Sequence, residues 1–306
     1  MSMKEGRVGV SGASGLVGTA LRPWLEGHGY EVAPFLKGGM RNRVPCGIEW
    51  EPRRGLADWA ALENLRAVVH LAGENIASGR WTRSKKRRIR DSRVDGTAAL
   101  CKALARLDRP PEVLICASAV GYYPESSAEQ DESSPPGDGF LARVCVDWEA
   151  AAAPAREAGI RVVNLRIGMV LAREGGALKK MLKPFRLGLG GRIGSGRQFM
   201  SWCSLTDLVR IIGFALETKN LEGPVNAVAP APVTNGEFTR TLGKLLKKPT
   251  ILPVPRPILR LALGEFAKVV TSSQRILPQR LLAAGFRFEH PVVESALRAA
   301  LSESAP

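Results

Sequence analysis

The sequence has few of the residues that build metal sites and disulfide frameworks. Its 306 residues include only three histidines and five cysteines, which lie far apart at Cys46, Cys101, Cys116, Cys145 and Cys203. No two cysteines form a C-x-x-C pair, and their number is odd, which argues against a disulfide framework and a structural zinc site. We therefore expect no metal ion in this protein.

Long hydrophobic runs are also missing. No apolar stretch is long enough to cross a bilayer, and no signal-peptide pattern occurs, so we expect a cytoplasmic protein that does not enter a membrane.

The net charge is +15, and basic residues cluster at 80–93 and 179–197. No helix-turn-helix, zinc-finger or RNA-stacking signature accompanies them, which argues against nucleic acid and favours an acidic or phosphorylated small molecule.

Short apolar runs alternate with helical periodicity over the first half of the chain. The runs that predict strands are Arg7–Ser11, Tyr30–Leu36, Ala67–Leu71, Val113–Ser118 and Arg161–Ile167. Helices are predicted between them at Leu16–Gly27, Thr82–Leu107 and Phe140–Glu157. This order is typical of an α/β protein with a doubly wound parallel sheet of the Rossmann type, covered by helices on both faces.

The alternation weakens after Ile167. A substrate-side loop is expected at 171–203, followed by a helix near Ser204–Leu216 and a strand at Pro224–Val228. The proline-rich segment 229–232 then marks a boundary, and a helix is predicted at Asn235–Leu246, capped by Thr234 or Asn235. We predict a dinucleotide-binding domain at 1–228 and a smaller, mostly helical substrate-side domain at 229–306.

A glycine-rich turn follows the first predicted strand and opens the first helix. Gly12 allows a tight turn, Gly15 lets backbone N–H groups approach a ligand, and Gly18 lets the helix lie close to the strand. With the positive end of the helix dipole, this arrangement suits a pyrophosphate. The residues assigned to the cofactor in this turn are Gly12, Ser14, Gly15, Leu16, Val17 and Gly18.

The end of the second strand indicates which dinucleotide binds. A carboxylate there would bond the ribose 2′-hydroxyl of NAD, but this strand ends in Leu36 and Lys37, with Arg41 and Arg43 close behind. A lysine can pair with a 2′-phosphate. We therefore predict NADP as the cofactor, with Leu36 and Lys37 in its site.

The helix predicted at Thr82–Leu107 has charged residues on its apolar face. Ile89, Thr97, Leu100, Leu104 and Leu107 follow helical spacing, and the same stripe continues back to Arg93 and Lys86. Charged side chains rarely point into a core without a partner. We expect Arg93 to contact the cofactor and Lys86 to contact cofactor or substrate, unless both side chains extend to water.

The residues resemble the short-chain dehydrogenase/reductase superfamily in its extended, epimerase-like branch, and more specifically an atypical group sometimes labelled cell-division inhibitor. The superfamily similarity includes Ser11–Gly18. The more specific similarity is carried by Leu71–Ile76, Arg80–Trp81, Ser92–Arg93, Gly121–Tyr123 and the segments 184–191 and 194–198. It implies that Leu71, Ala72, Gly73 and the backbone near Val170 line NADP(H). It also implies that Ser118 polarises a substrate carbonyl.

The sequence departs from the superfamily at its acid/base pair. That chemistry uses Tyr-x-x-x-Lys, whose lysine lowers the pKa of the phenol. Of the three tyrosines, none is followed by lysine at that spacing. Aligning Glu149 with the acidic residue that often follows the pair puts Leu141 and Cys145 in the tyrosine and lysine places.

Two hypotheses of different classes remain open. In the first, the protein is an NADPH-dependent oxidoreductase or epimerase in which Tyr122 or Tyr123 donates the proton, helped by Lys85 or Lys86. Its substrate pocket would then be formed by Arg80, Trp81, Lys86, Arg192, Gln198 and Trp202. In the second, it binds NADPH without turnover as a sensor or regulatory partner. The resemblance also implies a homodimer through the helices predicted at Thr82–Leu107 and Phe140–Glu157. The dense charge on the helix at Thr82–Leu107 opposes such a dimer.

Overall fold

The structure is a computed structural model that describes residues 6–36, 46–51, 55–56 and 60–302. The strands are β1 (Arg7–Ser11), β2 (Glu31–Leu36), β3 (Ile48–Glu51), β4 (Gly55–Leu56), β5 (Leu65–His70), β6 (Val113–Ala119), β7 (Ser126–Gln130), β8 (Arg161–Ile167), β9 (Met169–Leu171), β10 (Phe199–Met200), β11 (Trp202–Ser204), β12 (Gly223–Ala227), β13 (Val233–Thr234) and β14 (Gln274–Ile276). The helices are α1 (Leu16–Gly27), α2 (Arg83–Leu104), α3 (Phe140–Ala150), α4 (Ala153–Glu157), α5 (Gly176–Arg186), α6 (Leu205–Glu217), α7 (Asn235–Leu246), α8 (Arg256–Leu263), α9 (Phe266–Thr271), α10 (Gln279–Ala283) and α11 (Val293–Ser302).

Eight strands form the main sheet in the order β12-β8-β6-β5-β1-β2-β3-β4. Neighbouring strands run parallel except for β4, which is antiparallel to β3. The strand order reverses beside β1, because β2 lies on one side of it and β5 on the other. A crevice therefore opens at the carboxyl end of β1, which is where doubly wound sheets bind dinucleotides. The predicted Rossmann-type fold is confirmed.

The sheet is buried on both faces, as its short apolar strands require. Val8, Val10 and Ile115 pack with Leu21 of α1 and Ile211 of α6 on one face. The opposite face carries a second cluster built around α2 and α4. The predicted inner stripe of α2 is confirmed for Ile89, Thr97, Leu100 and Leu104, which are buried.

The helix predicted at Phe140–Glu157 is broken into α3 and α4, which differs from the sequence interpretation. Pro154 lies in the first turn of α4. Proline has no backbone N–H and its ring clashes with the carbonyl four residues earlier, which disfavours a continuous helix here and favours the break before it.

The C-terminal part packs against α5 and the short strands β7 and β10. It contains α7 to α11, and α7, α11 and α5 share an apolar cluster centred on Trp202 and Phe238. Two strand pairs tie it to the earlier chain, β14 with β7 and β13 with β10. Helix α7 has the bounds predicted, and Thr234 caps it in a capping box with Glu237. Among the described residues, no helix is both long and apolar enough to span a bilayer.

Candidate functional site

The glycine turn between β1 and α1 has the geometry of a phosphate-binding loop. Gly12 has a φ of 69°, in the left-handed region that favours glycine, and its carbonyl accepts a hydrogen bond from Gly15 N at 2.9 Å. A Cβ on Gly18 would collide with the Gly12 carbonyl oxygen and lie 2.7 Å from Ala13 Cα. Only glycine lets α1 approach the turn this closely.

The first turn of α1 remains available to a ligand. Gly15 is the N-cap residue and provides no side-chain hydrogen bond, and Ser14 and Gly15 are exposed. The N–H groups at this helix end, together with the positive end of its dipole, suit a phosphate. The backbone of residues 12–18 therefore fits the pyrophosphate of a dinucleotide.

Ser11 and His70 fix the ends of β1 and β5 beside this turn. Ser11 Oγ lies 2.6 Å from His70 Nδ1 and accepts hydrogen bonds from Leu71 N at 3.1 Å and Ala72 N at 3.2 Å. Both side chains are fully buried. Burial lowers the pKa of His70 to about 4, so the imidazole is neutral at physiological pH. This clamp positions Leu71, Ala72 and Gly73 along the crevice.

Arg93 lies at the same edge of the sheet, where the sequence pattern placed it. A Cβ on Gly73 would lie 3.3 Å from Arg93 Cζ, and Arg93 Nη1 donates to the carbonyls of Glu74 at 3.0 Å and Ile89 at 3.2 Å. Its guanidinium lies 5.1 Å from the Trp148 ring centroid, and burial lowers its pKa. Arg93 is thus braced beside Gly73, next to the crevice in which a dinucleotide would lie along the strand ends.

Two further cofactor predictions lie at the ends of β2 and β9. Leu36 ends β2 and is partly buried, whereas Lys37, Arg41 and Arg43 fall outside the described residues. Val170 lies in β9, and the loop that follows it returns to the glycine turn: a Cβ on Gly175 would lie 2.8 Å from Leu16 Cδ1. The start of α5 therefore borders the crevice.

The charged residues at the start of α2 differ from the sequence prediction. Lys86, placed on the inner face, has 30% of its side chain exposed and pairs with Glu265, while Lys85 has 4% exposed. Lys85 Nζ donates to Glu74 Oε1 and Ser78 Oγ, both at 2.7 Å. Residues 74–78 cover this first turn of α2, which periodicity within the helix could not show.

Ser118 belongs to a buried polar network at the end of β6. Its hydroxyl donates to Glu149 Oε1 at 2.6 Å, and Arg166 donates to both carboxylate oxygens of Glu149 at 2.9 Å. Burial pushes the pKa of Arg166 down, but the hydrogen bonds and charge of Glu149 outweigh this and raise it. From the sequence, Glu149 served only as an alignment landmark and Arg166 was given no role, because their pairing joins α3 to β8, which lie apart in sequence.

The two candidate proton donors lie in different environments. Tyr123 is 3% exposed, its hydroxyl donates to Asn226 Oδ1 at 2.7 Å and accepts from Arg166 at 2.8 Å, and burial raises its pKa to about 12. Tyr122 is partly exposed, and Arg166 Cζ lies 3.4 Å from its ring centroid. Its hydroxyl has no hydrogen-bond partner within the described part of the chain.

The places that hold tyrosine and lysine in the superfamily carry no acid/base group here. Leu141 packs against the turn after β6, where a Cβ on Gly121 would lie 3.3 Å from its Cβ. Cys145 is buried, its thiol lies 3.7 Å from the Ala119 carbonyl, and burial raises its pKa to about 12. A thiol with this pKa stays protonated at neutral pH.

Two of the predicted substrate residues meet the C-terminal part of the chain beside the crevice. Arg80 donates to the Leu261 carbonyl at 3.1 Å and is exposed. The Trp81 ring lies 5.6 Å from Phe140 and 5.8 Å from Phe266, and its indole donates to the Ile76 carbonyl. With Lys86 and Glu265, these residues join α2 to α8 and α9.

The other three predicted substrate residues are placed differently from one another. Arg192 is exposed and donates to the carbonyls of Gly194 and Ser195. Gln198 is buried and donates to the Ile193 carbonyl at 3.1 Å. Trp202 is fully buried and donates to the Ala231 carbonyl, so it has no surface that a substrate arriving from solvent could touch. Trp202, which was predicted to help form the substrate pocket, instead packs in the buried apolar cluster with Phe238.

Comparisons with known proteins agree with this geometry. A family model described as "NAD dependent epimerase/dehydratase family" matches residues 8–228, and one described as "Domain of unknown function (DUF1731)" matches residues 254–300. The "Epimerase family protein Mb2239" of Mycobacterium bovis is 44% identical, covering 96% of this chain and 97% of that protein. The human "Epimerase family protein SDR39U1" is 38% identical, covering 95% of this chain and 98% of that protein.

A solved structure of the human protein, described as "human epimerase family protein SDR39U1 (isoform2) with NADPH", superposes with a TM-score of 0.88. It is 37% identical and covers 97% of this chain and 100% of that one. The resemblance to the epimerase-like group of the short-chain dehydrogenase/reductase superfamily is confirmed. This chain belongs to the NAD dependent epimerase/dehydratase family.

Proposed function

We propose that the protein binds NADP(H) along the carboxyl edge of its sheet and acts as an NADPH-dependent oxidoreductase or epimerase. The observation that carries the proposal is the backbone of the glycine turn, where Gly12, Gly15 and Gly18 leave an uncapped helix N-terminus open to a phosphate. The human relative crystallised with NADPH supports the same cofactor. Lys37 would pair with the 2′-phosphate, and Arg93 would face the crevice beside Gly73.

The bound cofactor would supply or accept a hydride. Tyr122 would supply the proton that the substrate oxygen needs, because its hydroxyl is the one not already committed to the buried network. The Arg166 guanidinium against its ring would stabilise negative charge on the phenolic oxygen, a task that lysine performs in the usual pair.

Ser118 would orient the substrate oxygen from the other side. Because its proton is held by Glu149, the hydroxyl presents lone pairs to the crevice until the proton rotates toward a substrate carbonyl. The positive charge of Arg166 balances the negative charge of the Glu149 carboxylate while the Ser118 proton moves. Tyr123 and Asn226 hold Arg166 in place and act as positioning residues.

The substrate we propose is a small acidic or phosphorylated molecule. Arg80 and Arg192 are exposed cations on the substrate side, and Lys86 lies at the junction of α2 with the C-terminal part. Cations at such an edge raise the local concentration of anions.

We further propose two domains at 1–228 and 229–306, a cytoplasmic location and a homodimer through α2 and α3. Charge on α2 is partly offset where Arg90 meets Asp95 and Asp147.

A non-catalytic NADPH sensor is favoured by one observation. Ser118 and Tyr123 donate their protons to Glu149 and Asn226, which leaves Tyr122 as the single free hydroxyl of the three candidates among the described residues. A protein that binds NADPH without turnover needs no hydroxyl free to exchange a proton with a substrate, so the committed hydroxyls of Ser118 and Tyr123 are compatible with a sensor.

A screen of carbonyl compounds bearing carboxylates or phosphates, followed by NADPH absorbance, separates the two functions. We expect turnover that falls at least about 100-fold in Tyr122→Phe, while NADPH affinity stays within about twofold. Ser118→Ala should also lower the rate without changing NADPH affinity. NADPH binding without turnover on any compound would favour the sensor, and unchanged turnover in Tyr122→Phe would contradict its assignment.

A further inference from the structure

Two neighbouring segments, the residues that follow α5 and the chain from Ile251 into α8, expose an unusual number of large aliphatic side chains. These six side chains are between 60% and 83% exposed, and we call them the aliphatic face: Leu187, Leu189, Ile251, Leu252, Ile258 and Leu261. Outside it, large exposed apolar side chains among the described residues are scattered at Val146, Leu282 and Val292. Contiguous exposed apolar surface of this kind marks an interaction site.

The aliphatic face is one structural unit although its members are far apart in sequence. A Cβ on Gly191 would collide with the Leu252 carbonyl oxygen, so the two segments lie backbone against backbone. Gly194 N donates to the Val254 carbonyl at 3.0 Å, and Val254 N donates to the Arg192 carbonyl at 2.8 Å. Helix α8 follows directly, with Ile258 and Leu261 one turn apart on its exposed side.

The segments that build the aliphatic face are strongly basic. Residues 176–200 contain no acidic residue, and in 244–268 the single acid is Glu265, which pairs with Lys86. The basic residues of the two segments are Lys179, Lys180, Lys183, Arg186, Arg192, Arg197, Lys244, Lys247, Lys248, Arg256, Arg260 and Lys268. This concentration accounts for most of the net charge of +15.

We propose that the aliphatic face and its basic surroundings dock the protein on a bilayer that carries anionic phospholipid headgroups. Leucine and isoleucine side chains enter the boundary between headgroups and acyl chains, while lysine and arginine pair with the phosphates. The long basic side chains can lie along the apolar surface and still reach the headgroups.

The charge and chemistry of the surface favour lipid over two other occupants. A second copy docked on the same surface would place cation against cation, which is repulsive. Single-stranded nucleic acid is bound through aromatic side chains that stack on bases, and the aliphatic face has none. An anionic bilayer complements both its charge and its aliphatic character.

Co-sedimentation with vesicles tests the proposal, using phosphatidylcholine alone and phosphatidylcholine mixed with phosphatidylglycerol. We expect the full-length protein to pellet with the anionic vesicles and to stay in solution with phosphatidylcholine. The Ile258→Asp/Leu261→Asp variant should lose at least about tenfold in partitioning, because it removes inserted apolar surface and adds repulsion. Both residues are exposed, so the fold should tolerate the change.

The matched control is Leu282→Asp/Val292→Asp, which adds the same charge at exposed apolar positions outside the aliphatic face. It should partition within about twofold of the natural protein. Three results would overturn the proposal: no pelleting with anionic vesicles, equal loss in both variants, or conversion of a dimer to a monomer by Ile258→Asp/Leu261→Asp in light scattering. Preferential binding of a single-stranded oligonucleotide at physiological salt would also overturn it.

Discussion

The cofactor edge and the proposed catalytic corner of this protein are held by different kinds of interaction. At the cofactor edge, Gly12 and Gly18 bring main chain against main chain, and Ser11 with His70 locks two neighbouring strand ends. At the catalytic corner, side chains from three separate elements, Glu149, Arg166 and Tyr123, satisfy one another. A backbone site tolerates little change at its glycines, whereas a side-chain network can be altered while the surrounding fold persists.

The largest expected effect on cofactor binding is at Gly18, where a side chain has no space. Gly18→Val should weaken NADPH binding by at least about 100-fold, because its Cβ would collide with backbone that cannot move aside. Isothermal titration of NADPH measures this. Gly27→Ala at the other end of α1 is the control, since nothing lies within 4 Å of its Cβ. Equal affinities in the two variants would remove the glycine turn from the proposed site.

The next effect separates the catalytic corner from the cofactor edge. Arg166 is 3% exposed, so Arg166→Met would leave Glu149 without its cation and cost about 3–5 kcal/mol of the free energy of unfolding. Urea unfolding measures the loss. Glu149→Leu/Arg166→Met should lose less than the sum of the two single changes. Strict additivity would mean that the pair does not act as a unit.

The His70 clamp predicts a pH dependence at the cofactor edge. Its pKa is about 4 in the folded protein against 6.5 as the ordinary value, so the unfolded chain takes up a proton first as the pH falls. The free energy of unfolding should therefore decrease between pH 6.5 and 4, by about 3 kcal/mol from this group. His70→Gln should flatten that part of the profile. Parallel profiles for the natural protein and His70→Gln would contradict the assignment.

The smallest effect contrasts the two neighbouring tyrosines. Tyr123→Phe removes a buried hydrogen bond to Asn226 and should cost about 1–3 kcal/mol. Tyr122→Phe removes a hydroxyl without such a partner and should change the free energy of unfolding by less than about 0.5 kcal/mol. Thermal unfolding of the two variants side by side measures the difference. A larger loss in Tyr122→Phe would reverse the assignment of the two residues.

The sequence predicted most accurately the elements with strong local signals. Helix α1, strands β1 and β8 and helix α7 have the predicted bounds, because alternation, glycine positions and capping residues are read within a few neighbours. The short pairs β7 with β14 and β9 with β11 were not predicted. Their partners lie far away in sequence, and strands of a few residues carry little periodicity.

The same distinction holds in the candidate site. Gly12, Gly18 and Arg93 were predicted from spacing and lie at the crevice, since each depends on one strand or helix. The structural roles of Lys85 and Trp202 were not predicted. Residues 74–78 cover Lys85, and the apolar cluster around Phe238 encloses Trp202. Burial caused by distant segments is invisible to a pattern within one element.

The central claim is that the glycine turn holds NADPH, and the most direct test is a pair of titrations. The natural protein would be titrated with NADPH and with NADH at physiological salt, following the fluorescence of the reduced nicotinamide. We predict micromolar affinity for NADPH and much weaker binding of NADH, with the preference lost in Lys37→Glu. No binding of either dinucleotide would contradict the account, and equal binding of both would contradict the role given to Lys37.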